Sequence, residues 1–188
     1  MCPPRTDVEL LVAHRAGDAR AFTELVDRHQ ERLWHVAFRM LHHQEDATDA
    51  VQDALVAAFR QAHTYRGDAS VRTWLQRILV NVCIDHIRRD RNRRERIRSA
   101  QLLAGRATPT RRPDIAAEVT TRLSVEDALA ALPDHQRVAV VLVDVQGWHV
   151  AEVADVLDVA VGTVKSRCAR GRLRLAVLLG HMDEEVAR

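Results

Sequence analysis

The spacing of apolar residues constrains the fold of this chain more than any other feature. Between Phe22 and Leu41, apolar side chains recur every three or four residues, which is the spacing that one buried face of an α-helix requires. Similar stripes follow Asp7, Asp46, Ser70 and Ser124. Residues that break helices or favour sheets are scarce, with 7 glycines, 5 prolines and 4% aromatic residues. We therefore expect an all-α protein.

The N-terminal half contains four of these amphipathic segments, which is enough for a compact four-helix bundle. Asp18, Asp46 and Ser70 are placed to cap the second, third and fourth helices, because their side-chain oxygens can accept hydrogen bonds from free backbone amides. Gly17 is placed to end the first helix in a left-handed conformation.

Helical periodicity fails after Ser99, where one glycine and two prolines lie among alanine, threonine and arginine. This composition is typical of a flexible linker. The sequence therefore predicts a helical domain at residues 7–98, a linker at 99–123 and a smaller four-helix domain at 124–181. A length of 188 residues is sufficient for two small domains.

The net charge of +2 conceals an uneven distribution of charged residues. Residues 1–57 carry ten acidic residues against six arginines, whereas Arg88–Arg98 carries seven arginines against two acidic residues. Lys165–Arg174 carries five basic residues and no acidic one. Charge runs often only solvate a surface, but one acidic and two basic sections indicate different partners, with nucleic acid favoured for the basic ones.

Several classes of protein are disfavoured by the sequence. The longest apolar runs, such as Val138–Val143, are far shorter than the roughly 20 residues that span a bilayer, and the N-terminus lacks the apolar segment of a secretory signal. Three widely spaced cysteines suggest neither a disulfide framework nor a zinc site. A P-loop, a GxSxG motif and an HExxH motif are all missing. We therefore expect a cytoplasmic protein that is not an enzyme and needs no cofactor or metal.

The C-terminal domain contains a helix-turn-helix pattern. Val150–Leu157 forms a first amphipathic helix, Asp158–Gly162 a break, and Thr163 to about Leu179 a second helix. On the second helix, Val164, Cys168, Gly171 and Leu175 are expected to face the first helix, while basic and small polar residues point outward. Such a helix can read base edges in a major groove while its cations hold phosphates. A basic helix that packs on an acidic protein is the alternative.

Three segments precede this pattern in a fixed order: the acidic helix segment Asp49–Asp53, the loop Tyr65–Ser70 and the segment Trp74–Asn81. Together with Val161–Arg167, they resemble the extracytoplasmic-function (group 4) sigma factors of bacterial RNA polymerase, which belong to the sigma-70 family. The resemblance extends over nearly the whole chain outside the predicted linker. The sequence QGW, followed by VGTVKSRCAR, resembles the sigma-M branch of actinobacteria.

The resemblance implies that Asp49, Gln52 and Asp53 bind core polymerase at the coiled coil of its β′ subunit. These residues are spaced i, i+3 and i+4, so they share one helical face and can offer carboxylates and an amide to a basic partner. A solvated acidic stripe is the alternative interpretation.

The resemblance also implies two DNA-binding surfaces. The residues that match the −10 surface, which traps an unstacked base, are Tyr65, Gly67, Asp68, Ser70, Trp74, Arg77, Asn81, Arg88 and Arg89. Tyr65 can stack on a base and the amide of Asn81 can both donate to and accept from a base edge, whereas Trp74 also lies on the apolar stripe and can serve as a core anchor. The residues that match the −35 surface are Lys165, Ser166, Arg167, Arg170 and Arg174.

The expected partners are the β and β′ subunits of core polymerase, promoter DNA and a cognate anti-sigma factor, which in such systems is often bound to the membrane. The linker at 99–123 would follow the RNA path near the polymerase active site. A stand-alone helix-turn-helix regulator that binds duplex DNA as a dimer is the alternative. It would have no use for an acidic docking helix or for the loop ahead of Trp74.

Overall fold

The computed structural model describes residues 5–103 and 124–186, with the side chains left out at 102–103 and 180–186. These residues form α-helices with one 3₁₀ turn, one π-helical segment and no strand, which confirms the all-α prediction. Most of the predicted linker, residues 104–123, lies outside the described residues.

Four helices form the N-terminal bundle. They are α1 (Asp7–Arg15), α2 (Ala19–Leu41), α3 (Gln44–Gln61) and α4 (Val71–Leu103), with a 3₁₀ turn (Ala62–Thr64) after α3. Helix α3 packs on both α2 and α4, and α1 packs on α2. Leu11, Leu25, Met40 and Leu79 are fully buried among them, as the apolar spacing requires.

Two of the three predicted N-caps in this bundle are confirmed. The Asp18 carboxylate accepts hydrogen bonds from the amides of Arg20 and Ala21, and the Ser70 hydroxyl accepts one from the amide of Thr73. Gly17 follows α1 with a φ of 99°, the left-handed conformation expected of it.

The prediction that Asp46 caps α3 is wrong, because the helix begins two residues earlier, at Gln44. His42 already ends α2 in the left-handed region, so the chain turns there and α3 starts directly after His43. Asp46 lies in the first helical turn, where its charge still favours the helix N-terminus. Helix α4 also continues to Leu103, past the predicted boundary at residue 98, since alanine, glutamine and leucine follow Ser99 and favour a helix.

The C-terminal unit consists of α5 (Val125–Ala130), α6 (Asp134–Val140), a π-helical segment (Val141–Val145), α7 (Val150–Leu157) and α8 (Val161–Val186). Ser124 caps α5 in a capping box with Asp127. Helix α8 begins at Val161, two residues before the predicted start, because the turn is completed by left-handed Asp158 and the two residues after it.

Gly171 lies on the face of α8 that packs closely against α6. A Cβ atom there would lie 2.6 Å from Cγ2 of Val140, so only glycine fits without displacing a neighbour. From its spacing, Gly171 was expected on the face that meets α7, the first helix of the helix-turn-helix. It packs on α6 instead, because α8 lies across both α6 and α7.

The two helical units share one continuous apolar core and a buried polar contact. The guanidinium of Arg137 in α6, only 7% exposed, donates to the carbonyl oxygen of Met40 at the end of α2, with Nε 3.0 Å away. It also donates to the carbonyls of Ala130 and Leu132 and to the carboxylate of Asp134. A cation at these helix C-termini satisfies carbonyls that lack helical partners.

Candidate polymerase and DNA interface

The outward face of α3 carries the residues expected to bind polymerase. Asp49, Gln52 and Asp53 are all exposed, and the opposite face of the helix is buried. Alanines occupy most of that buried face, so α3 lies close against its neighbours. The three polar side chains therefore form one solvent-facing surface on a helix whose position is fixed by packing.

Val56 and Phe59 extend this face by two further turns, and the sequence analysis missed them. Val56 is 43% exposed and Phe59 is 52% exposed. The ring of Phe59 meets that of Phe22 edge-on, with the centroids 5.1 Å apart, so it is held in place although half of it faces solvent. The signal in the sequence was their spacing, since Val56 follows Gln52 by four residues and Asp53 by three.

The loop before α4 is held by an internal hydrogen bond. The Tyr65 hydroxyl donates to the carbonyl of Ala69 over 2.7 Å, and the Tyr65 ring stands edge-on to Trp74 with centroids 5.7 Å apart. Gly67 has a φ of 87°, a left-handed conformation that favours glycine. The hydrogen bond of Tyr65, its contact with Trp74 and the left-handed Gly67 therefore determine the conformation of the loop.

A cavity of about 110 Å³ opens between this loop and α4. The predicted −10 residues that line it are Tyr65, Gly67, Asp68, Trp74 and Arg77. The other predicted residues lie elsewhere. Ser70 is used as the N-cap of α4, and Asn81 is exposed one helical turn beyond Arg77, outside the cavity lining. Arg88 and Arg89 are exposed further along α4.

The second helix of the helix-turn-helix, α8, presents part of the predicted −35 set to solvent. Lys165, Arg170 and Arg174 are exposed, whereas Ser166 and Arg167 are half-buried. The Ser166 hydroxyl donates to the carbonyl of Thr163, and Arg174 donates to the side-chain oxygen of Gln136 over 3.2 Å. Two of the five residues are therefore engaged within the protein itself.

An ion pair that the sequence analysis did not anticipate anchors α8. Nε and Nη2 of Arg172 donate to the two carboxylate oxygens of Asp144, at 3.0 and 2.7 Å. This two-point geometry fixes the rotation of α8 against the π-helical segment.

The buried cysteines and the described histidines show no metal or redox arrangement. Burial raises the pKa of the Cys83 thiol to about 12 and also raises the pKa of Cys168, so both are neutral thiols at physiological pH. Among the side chains that the structure describes, at residues 5–101 and 124–179, no group of three His, Cys, Asp or Glu is suited to a metal ion. Within the same ranges, the helices are too short or too polar to cross a membrane.

This combination defines a class of protein: a two-unit helical protein in which a helix-turn-helix is accompanied by a separate helix with an exposed acidic face. Two family models match the chain, "Sigma-70 region 2" over residues 25–94 and "Sigma-70, region 4" over residues 122–175. The chain belongs to the sigma-70 family, among the extracytoplasmic-function RNA polymerase sigma factors.

Individual relatives agree with this assignment. The chain is 46% identical to the ECF RNA polymerase sigma factor SigM of Mycobacterium tuberculosis, over 97% of this chain and 89% of that protein. It is 30% identical to the ECF RNA polymerase sigma factor SigW of Bacillus subtilis, over 84% and 88% of the two chains.

Two solved structures are similar in fold. One is CnrH in complex with the cytosolic domain of CnrY, with a TM-score of 0.57 and 29% identity over 93% of this chain and 97% of that one. The other is the sigma factor RpoE in complex with the anti-sigma factor NepR from Bartonella quintana, with a TM-score of 0.57 and 25% identity over 86% and 98%.

Proposed function

We propose that this protein is an alternative sigma factor that directs core RNA polymerase to specific promoters and promotes opening of the −10 element. The observation that carries the proposal is the exposed face of α3, where Asp49, Gln52 and Asp53 face solvent. A stand-alone helix-turn-helix regulator has no use for such a face. A factor that must bind a second protein and DNA at the same time requires one.

Docking on core polymerase uses both charge and apolar area. The carboxylates and amide on α3 offer acceptors to a basic partner helix, and Val56 and Phe59 add exposed apolar surface beside them. Aromatic side chains of this kind commonly dominate the binding energy of an interface, while charged groups set orientation and association rate.

Promoter binding divides between the two units. Lys165 and Arg170 of α8 contact the −35 duplex, with side chains free to reach base edges or phosphates. The cavity at Tyr65 and Trp74 receives a base from the melted −10 strand, and Asn81 reads it or its neighbour from the adjacent turn of α4.

Opening of the duplex then needs no chemistry on this chain, so the protein works as a binding factor and not as an enzyme. Trapping a flipped base stabilises the open form of the DNA, and the equilibrium shifts by the difference in affinity for the two forms. We expect the protein to work in the cytoplasm, where polymerase and promoter DNA meet. An anti-sigma factor is a further expected partner, since both solved relatives are described in complex with a second protein, named as an anti-sigma factor in one case.

The test is binding to core polymerase by a charge-reversal variant. Asp53→Arg places a cation against the basic partner, and we expect the affinity for core to fall at least about tenfold, since opposed like charges at an interface cost several kcal/mol. Asp27→Arg is the matched control, because Asp27 is an exposed carboxylate on a different helix, α2. Its affinity for core should remain that of the wild type.

Asp53 also lies 3.5 Å from His86, so a folding effect must be separated from a binding effect. Asp49→Arg, on the same exposed face, serves as a second variant. Wild-type affinity for core in both variants, with unchanged melting temperatures, would refute the docking proposal.

A further inference from the structure

His135 is an exposed residue in the first turn of α6 and has no role in the proposed function. Helix α6 packs against α8, the second helix of the helix-turn-helix. The side chain next to His135, that of Gln136, is buried and accepts a hydrogen bond from Arg174 of α8 over 3.2 Å. The first turn of α6 therefore lies beside the basic face of α8.

The part of α8 beside His135 carries three of the five predicted −35 residues. Arg167, Arg170 and Arg174 are spaced i, i+3 and i+7, so they share one face of the helix. All three are near enough for their charges to act on the imidazole of His135. His135 and Arg167 also line the same groove, which has a volume of about 1070 Å³. The predicted −35 surface therefore borders a titratable side chain that belongs to a different helix.

The surroundings of His135 disfavour a positive charge on its ring. Partial loss of hydration is the largest cause that lowers its pKa, and the charges of the three arginines on α8 lower the pKa further. Asp134, the residue before it, acts in the opposite direction. The charged residues that α4 contributes to the groove are all cations: Arg88, Arg91 and Arg94. In the protein without DNA, the ring is therefore neutral at physiological pH.

Duplex DNA reverses this balance. Phosphates bound by the arginines of α8 offset their positive charge, and a phosphate beside the ring favours its protonated form. An imidazolium has two N–H donors and can bind a phosphate oxygen through either one. We propose that His135 is a further phosphate-binding residue of the −35 surface and that it binds duplex DNA in its protonated form. The proton comes from solvent when the complex forms. This inference rests on the proposed −35 role of α8.

The proposal makes the affinity for DNA depend on pH in one direction. Because the complex holds the proton more tightly than the unbound protein does, the affinity rises as the pH falls. The pKa of His135 in the unbound protein lies below 6.5, so a range from about pH 7.5 to about pH 5.5 covers the change. A pKa that rises by one unit on binding corresponds to an affinity gain of at most about tenfold. One more phosphate contact also steepens the dependence of log affinity on log salt by about 0.9.

The experiment measures binding of the full-length chain to a randomised duplex of about 20 base pairs by fluorescence anisotropy, at both pH values and at several salt concentrations. His135→Gln removes the titration and keeps a polar side chain. His35→Gln is the matched control, because His35 is an exposed histidine on α2. Calorimetry in two buffers of different ionisation enthalpy counts the protons that binding takes up. Circular dichroism at both pH values checks that every variant is folded.

Between about pH 7.5 and about pH 5.5, we expect the wild type to gain about threefold to tenfold in affinity relative to His135→Gln. Its salt dependence should be steeper at the lower pH, and its proton uptake should exceed that of His135→Gln. His35→Gln should behave as the wild type. His135→Arg carries a permanent charge, so at the higher pH it should bind about as tightly as the wild type does at the lower one.

Equal pH profiles for the wild type and His135→Gln would overturn the inference, and so would a gain in affinity without a steeper salt dependence. Two further variants, Lys165→Ala and Arg170→Ala, test the −35 role on which the inference rests. If both bind the duplex as tightly as the wild type, the −35 role of α8 fails. If they bind more weakly while the two pH profiles stay equal, only the role of His135 fails.

Discussion

Replacing Arg137 by methionine tests how the two helical units are held together. The guanidinium is almost fully buried and makes its best interior hydrogen bonds to the carbonyls of Met40 and Leu132, at 3.0 and 3.2 Å. Methionine keeps much of the volume and removes every donor. The two carbonyl groups then stay buried without this hydrogen-bond donor. Burying an unsatisfied carbonyl costs more free energy than the net contribution of a hydrogen bond.

The size of the effect follows from these two bonds. A hydrogen bond from a charged donor contributes about 1.5–3 kcal/mol, and the methionine side chain recovers part of the loss through apolar contact and by avoiding desolvation of a charge. The bond to Ala130 is long, at 3.4 Å, and Asp134 is half-exposed, so neither adds much. We expect a net loss of about 2–4 kcal/mol.

A chain of this size loses about 2–4 °C of melting temperature for each kcal/mol. Differential scanning calorimetry should therefore show a decrease of about 5–15 °C for Arg137→Met. The matched control is Arg170→Met, at an exposed position, which should stay within about 2 °C of the wild type. A melting temperature of Arg137→Met that also stays within about 2 °C would refute the role assigned to the buried guanidinium.

Two further predictions concern packing and pH. Gly171→Ala should lower the free energy of unfolding by about 1–3 kcal/mol, because the new Cβ would overlap Val140. Urea unfolding measures this loss. An unchanged urea midpoint would show that α6 and α8 can move apart at no cost. Burial, and then the charge of Arg137, lower the pKa of His42 below its ordinary value of 6.5. The folded protein therefore favours the neutral ring. This preference stabilises the fold above pH 6.5, and the stabilisation is lost as the pH falls below that value. Asparagine tolerates the left-handed backbone at position 42 and cannot titrate. Between about pH 7.5 and pH 5.5, the melting temperature of His42→Asn should therefore fall less than that of the wild type. Melting temperatures that fall equally in both proteins would contradict this.

The helical architecture could be predicted because it depends on local patterns. Within the described residues, apolar spacing located the α-helices, and Asp18 and Ser70 capped theirs as expected, because an N-cap needs only the amides two or three residues ahead. The prediction for Asp46 failed because of the turn just before the helix. The start of α3 was set by the left-handed end of the preceding helix at His42, which the capping pattern does not encode.

The contacts between the units could not be predicted from spacing. The sequence around Arg137 does not distinguish it from a surface arginine. Its side chain is buried only because tertiary packing places the ends of α2 and α5 around it. The pair of Arg77 and Glu152 joins residues 75 positions apart, and neither position has a periodicity that indicates the other. The outward face of α3 could be predicted because helical geometry alone places its residues together. The role of this face in binding polymerase, and the roles of the other predicted residues in binding DNA, remain predictions.

The most direct test of the central claim is a run-off transcription assay with core RNA polymerase on a genomic library of promoter fragments, with and without this protein. As a sigma factor, it should produce discrete promoter-dependent transcripts that core polymerase alone does not make, and Asp53→Arg should reduce them where Asp27→Arg does not. Discrete transcripts from core alone that this protein only represses, or no new transcript at saturating protein, would contradict the account.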